Sequence, residues 1–181
     1  IYGINSSMPH QLYRINSMGV VTNLGNVSGL MGNNFVAGCM DANGTYYVTG
    51  NNQFLYSIDI NTLVPSQIGT SIIVAADIAF NPADGLLYAV DDIANRLVSI
   101  NPTTSAITPI GSPNAQYAMF GALYFNAQGM IIAYGDNITI PSTGQESLVR
   151  IDPNTGIITQ IGIGPNAGTN DGCSCPFGVE L

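Results

Sequence analysis

Leu12-Tyr13-Arg14-Ile15-Asn16 is the stretch that decides the fold, because the chain repeats it three times. It returns as Leu55-Tyr56-Ser57-Ile58-Asp59, Leu97-Val98-Ser99-Ile100-Asn101 and Leu148-Val149-Arg150-Ile151-Asp152, with starts 43, 42 and 51 residues apart. A period of that size marks a repeat architecture. Each copy leads through a turn into a second short run ending in glycine: Val20 to Gly25, Pro65 to Gly69, Ile107 to Gly111 and Ile158 to Gly162. Both runs alternate and favour β-branched residues, as strands do. The turns between them, such as Ser17-Met18-Gly19 and Pro153-Asn154-Thr155-Gly156, carry turn-forming residues.

Two further strands precede three of the copies. They read Val36 to Met40 and Thr45 to Thr49, Ala76 to Phe80 and Leu86 to Val90, and Gly121 to Phe125 and Met130 to Tyr134. Turns such as Asn81-Pro82-Ala83-Asp84-Gly85 join them. Each unit is therefore four antiparallel strands, A to D, the size of a propeller blade. No segment shows a 3.6-residue period, which excludes stacked helix pairs. The first copy lacks strand A, since Tyr2 already aligns with Tyr88 of a strand B. The final segment, Phe177 to Leu181, matches a strand A. The expectation is an all-β, four-bladed β-propeller with four antiparallel strands per blade, and blade one completed by the C-terminal strand. One domain spans 1–181, with blades at about 1–25 plus 176–181, 35–70, 75–112 and 118–163.

The pattern resembles bacterial extracellular and surface-protein β-propeller repeats of the L-Y-x-I-[DN]-x-x-T-G-x-x-T-x-I-G type. The resemblance covers nearly the whole chain. It implies an extracellular interaction or structural module and carries over no catalytic residues.

Composition narrows the function. The 181 residues are 46% hydrophobic and 8% charged, with 21 Gly and 10 Pro. That balance suits a packed, turn-rich fold rather than a disordered chain. Net charge is −8, and Arg14, Arg96 and Arg150 are the only strong cations. No positive stripe for nucleic acid or anionic membrane can form. Without lysine there is no Schiff-base chemistry and no Ser–Lys dyad. No apolar run is long enough for a transmembrane helix. The sequence begins at Ile1, which reads as a processed chain or a fragment.

Each chemical feature has a plainer reading beside it. His10, the only histidine, would have to serve a triad, with Ser6 or Ser7 as nucleophile. No Gly-x-Ser-x-Gly elbow accompanies it, so it reads as a surface-turn residue. Asp91-Asp92 and Asp136 offer carboxylates for acid–base work, but aspartates after strands form Asx turns. Calcium is the metal the oxygen ligands would suit. Asp77 and Glu180 fall in channel-lining A strands, yet with opposite parity, so they do not face one level together. No cofactor is expected beyond a calcium ion in that channel.

Sequons occur at Asn5, Asn26, Asn43 and Asn137. Cys39 aligns late in a strand A, whereas Cys175 aligns just before one. Six residues at about 3.3 Å separate them along the axis by about 20 Å, beyond disulfide reach. Cys39 is thus a buried free thiol, and Cys173 and Cys175 form a local disulfide or pair across chains. Tyr13, Tyr47, Tyr56 and Tyr88 occupy repeat-core positions rather than a sugar-stacking face. The leading expectation is a non-enzymatic, secreted or cell-surface structural or adhesion module. Its partners would be itself, as in an extracellular fibre built by strand donation, or another surface protein or glycan. A carbohydrate-binding propeller is the alternative, and a hydrolase or lyase stands third.

Overall fold

The computed structural model describes residues 1–32, 34–50, 54–69, 73–137, 145–167 and 171–172. Its fifteen strands form four antiparallel sheets, arranged as the blades of a four-bladed propeller. Blade I holds β1 (Tyr2–Ile4), β2 (Gln11–Ile15) and β3 (Val21–Asn26). Blade II holds β4 (Phe35–Met40), β5 (Thr45–Gly50), β6 (Leu55–Asp59) and β7 (Pro65–Gln67). Blade III holds β8 (Ile78–Phe80), β9 (Leu87–Asp91), β10 (Arg96–Ile100) and β11 (Ile107–Ile110). Blade IV holds β12 (Tyr117–Phe125), β13 (Ile131–Asn137), β14 (Gln145–Ile151) and β15 (Ile158–Pro165). Strand order within every sheet follows the chain. Blade I has three strands among the described residues. The C-terminal strand expected to complete it lies outside the described residues.

Alternation along each strand C decides which neighbour it packs against. In blade III, Val98 and Ile100 enter a cluster shared with Ala37, Tyr47 and Leu55 of blade II. Leu97 faces the other way, into a cluster with Val149 and Ile151 of blade IV. In blade II, Tyr56 and Ile58 join Leu12 and Val27 of blade I. Three apolar seams, I–II, II–III and III–IV, hold the described blades together. The residue before each D-strand glycine plugs them: Leu24, Ile68 and Ile110.

The turn after each strand C is built the same way four times. The acid or amide ending the repeat accepts the amide hydrogen two residues on. The bonds run from Met18 to Asn16 at 2.9 Å, and from Asn61 to Asp59, Thr103 to Asn101 and Asn154 to Asp152 at 2.8 Å each. That explains the Asn/Asp choice at this position, because only a short polar side chain reaches back so far. The last residue of each turn adopts left-handed φ: Gly19 (77°), Leu63 (58°), Ser105 (56°) and Gly156 (70°). The three arginines all lie in C strands; Arg14 and Arg150 are paired with a strand on either side, and Arg96 with Asp91 of β9.

Candidate functional site

The centre of the propeller is where the sequence places its most unusual charge. Asp77 sits one residue before β8 and is 3% exposed. Its Oδ1 accepts the Ile78 amide at 2.8 Å. Its Oδ2 accepts the Leu123 amide of blade IV at 2.7 Å. The Gly38 amide of blade II donates to it as well. One carboxyl thus joins three inner strands. Burial raises its pKa to about 8 against the pull of those amides, and Asp171 adds repulsion. Asp77 stands just before the inner strand of blade III, and its oxygens are occupied by backbone donors of three blades. Glu180 lies outside the described residues. Among the described residues, no three His, Cys, Asp or Glu side chains gather closely enough to hold a metal.

His10 corrects the expectation of a surface-turn residue: it is 3% exposed. Its Nδ1 lies 3.1 Å from the Asn5 carbonyl oxygen and its Nε2 3.1 Å from that of Gly32. The ring meets Phe35 of blade II edge-on at 4.9 Å. It therefore plugs the I–II seam, and both ring nitrogens face backbone carbonyls rather than a serine hydroxyl. Ser6 and Ser7 are exposed.

The carboxylates are divided between structural tasks. Asp91 forms the expected Asx turn, accepting Ile93 at 2.9 Å and Ala94 at 3.2 Å. Asp92 instead accepts the Met119 amide of blade IV at 3.0 Å, and burial raises its pKa. Asp136 is exposed at the end of β13. Asp84 accepts the Tyr88 hydroxyl at 2.7 Å, and burial followed by that bond pushes the Tyr88 phenol up to about 12.

Tyr47, Tyr56 and Tyr88 are buried core residues as expected, while Tyr13 is only half-buried. Of the described sequons, Asn5 spends its amide on the Ser7 and Pro9 carbonyls. Asn26 and Asn43 are exposed; the Asn137 side chain lies outside the described residues. Cys173 and Cys175 lie outside them too. Cys39 is free and half-buried in β4. Burial, then the charges of Asp77 and Asp41, raise its pKa well above the usual thiol range. A Cys173→Ser/Cys175→Ser chain should therefore alkylate at Cys39 at least about tenfold more slowly at pH 8 when folded than in urea. Mass spectrometry of iodoacetamide time courses measures this, and equal rates would refute it.

Sequence reasoning missed one further feature: the role of the glycine ending strand D in blades I, II and III. It lies against the left-handed turn of the next blade. A Cβ on Gly25 would meet Leu63 Cδ1 at 3.0 Å, and one on Gly69 would overlap the Ser105 side chain. One on Gly111 would overlap the Thr155 carbonyl oxygen. The signal was present in the Ile-Gly ending, but spacing alone does not say what a glycine abuts.

Comparison with known proteins fits this geometry. A family model described as a repeat of unknown function (DUF6923) matches residues 1–177. No protein of curated function matches the sequence. Among solved structures, a protein of unknown function from Bacteroides thetaiotaomicron superposes with a TM-score of 0.67 at 15% identity, over 96% of this chain and 50% of its own. A chain of a nidogen/laminin complex gives 0.66 at 6% identity, over 88% and 60%. TolB from Acinetobacter baumannii gives 0.56 at 16% identity, over 88% and 40%. The chain thus spans between two-fifths and three-fifths of these structures, and at such identities the likeness speaks for the fold alone.

Proposed function

The chain belongs to the family of repeats of unknown function described as DUF6923, and we propose that it is a non-enzymatic structural or adhesion module of the cell surface or extracellular space. One observation carries this reading: among the described residues, the buried groups the sequence offered for chemistry are spent on holding blades together. Asp77 and Asp92 accept amides across blades, and His10 fills a seam. A general acid or nucleophile needs an open position beside it for a reacting atom. Net charge of −8 and the near absence of cations support a partner that is neither nucleic acid nor an anionic membrane. Among the described residues, no helix is long and apolar enough to cross a membrane.

Tyr47, Tyr56 and Tyr88 lie in the core rather than on a face open to a sugar, which weighs against a carbohydrate-binding role. Beads coated with the protein provide the test. Clustering of coated beads with one another or onto cell surfaces, unaffected by His10→Gln/Asp92→Asn, supports the module. Release by free glycans would replace it with the lectin reading. Turnover of a hydrolase or lyase substrate panel, lost in that double variant, would overturn it.

A further inference from the structure

Seams I–II and II–III use equivalent positions for opposite chemistry. In seam I–II, Ile4 of blade I and Phe54 of blade II pack against one apolar cluster. Ile4 stands opposite Leu12, and Phe54 precedes Leu55. One blade further on, the residue opposite Leu55 is Thr49, and the residue preceding Leu97 is Arg96. Both face seam II–III. Thr49 shares its side of the sheet with Leu55 and Tyr47, and Arg96 shares its side with Val98 and Ile100, all four being members of that seam's cluster. Thr49 is 3% exposed, and its hydroxyl has no hydrogen-bond partner. The Arg96 Nε–H is buried without a partner as well. Asp91, opposite Arg96 in the ladder, accepts the amides of Ile93 and Ala94 with its carboxylate instead. An unpaired buried polar group costs stability. Two of them stand in one seam, at positions that the neighbouring seam fills with apolar side chains. Arg96 as a whole is only half-buried, which leaves it partly open to solvent.

We propose that Arg96 and Thr49 form a binding site for a small ligand that carries one carboxylate. The Nε–H and the adjacent Nη–H of a guanidinium are parallel donors that match the two oxygens of a carboxylate. The Thr49 hydroxyl donates to the same group. A single negative charge suits the surroundings, because Asp91 stands across the ladder and the chain carries −8, so each further charge on the ligand adds repulsion. The site goes beyond the structural-module reading and does not depend on it.

Nuclear magnetic resonance of the arginine Nε–H signals, with sodium acetate as the probe and sodium chloride at matched ionic strength as the reference, tests the site. Arg14 and Arg150 are exposed and serve as internal controls. Acetate should shift the Arg96 signal to saturation and leave the other two where chloride leaves them. Thr49→Val should raise the acetate midpoint about tenfold, the loss of one hydrogen bond to a charged group. It should not lower the melting temperature, since the hydroxyl has no partner in the chain to lose. Thr49→Ser, which keeps the hydroxyl, should restore binding to within about twofold of wild type. An Arg96 signal that responds to acetate no more than to chloride overturns the site. So does an acetate midpoint that Thr49→Val leaves unchanged. Tighter binding of sulfate than of acetate overturns the carboxylate assignment.

Discussion

Replacing Asp77 with alanine should cost about 3–5 kcal/mol at pH 5–6, because buried amides from three blades lose their acceptor together. For a chain of this size that lowers the melting temperature by about 10–15 °C. The loss should depend on pH in a defined sense. Asp77 titrates near 8 in the folded chain, against about 4 unfolded. Between those values the folded state holds a proton that the unfolded state has released. This contribution to stability is therefore complete below pH 4 and is lost as pH rises toward and through 8. The slope is at most about 1.4 kcal/mol per pH unit. The alanine penalty should accordingly be largest near pH 5 and shrink toward pH 9. Asp77→Asn keeps a neutral group of the same shape and should flatten the profile. Parallel pH profiles for wild type and Asp77→Asn, measured by urea unfolding, would sink this account.

Gly111→Ala is the second large effect, expected at about 3 kcal/mol. Two terms add. Gly111 has φ of 69°, where a side chain costs about 1–2 kcal/mol. The new Cβ also displaces the Thr155 backbone, and Gly156 approaches from the other side, its own Cβ position 2.7 Å from the Ile110 oxygen. Gly129→Ala is the control, since Gly129 shares the backbone conformation (φ 74°) with nothing within 4 Å. It should cost only about 1 kcal/mol. Equal losses for the two variants would mean that the III–IV seam yields without cost.

These two residues also mark where the sequence is legible and where it is not. The Leu, Ile and Asn/Asp positions of the repeat follow from strand alternation and an Asx turn inside each copy, so spacing alone identifies them, whichever blade the apolar ones pack against. Strand boundaries move where a neighbour intervenes. The strand expected from Ala76 begins at Ile78, after the Asp77 carboxyl has taken the Ile78 amide. That expected from Gly121 begins at Tyr117, with an irregularity between Ala118 and Ala122. Asp77 and His10 work between blades, and the repeat has no periodic counterpart for either. His10 looks like loop composition until Phe35, 25 positions away, is brought against it. The D-strand glycines recur in every copy, but the partner of Gly25, Gly69 and Gly111 lies in the next copy's turn.

The placement of the arginines bears on how long such a molecule would last outside a cell. A protease that cuts after basic residues has three sites in 181. Each lies in strand C of a blade, where Arg14 and Arg150 are paired with a strand on both sides and Arg96 with Asp91 of β9. To thread one into a cleft, the blade must first come apart, so digestion is throttled by the opening equilibrium of the whole sheet rather than by access to a loop.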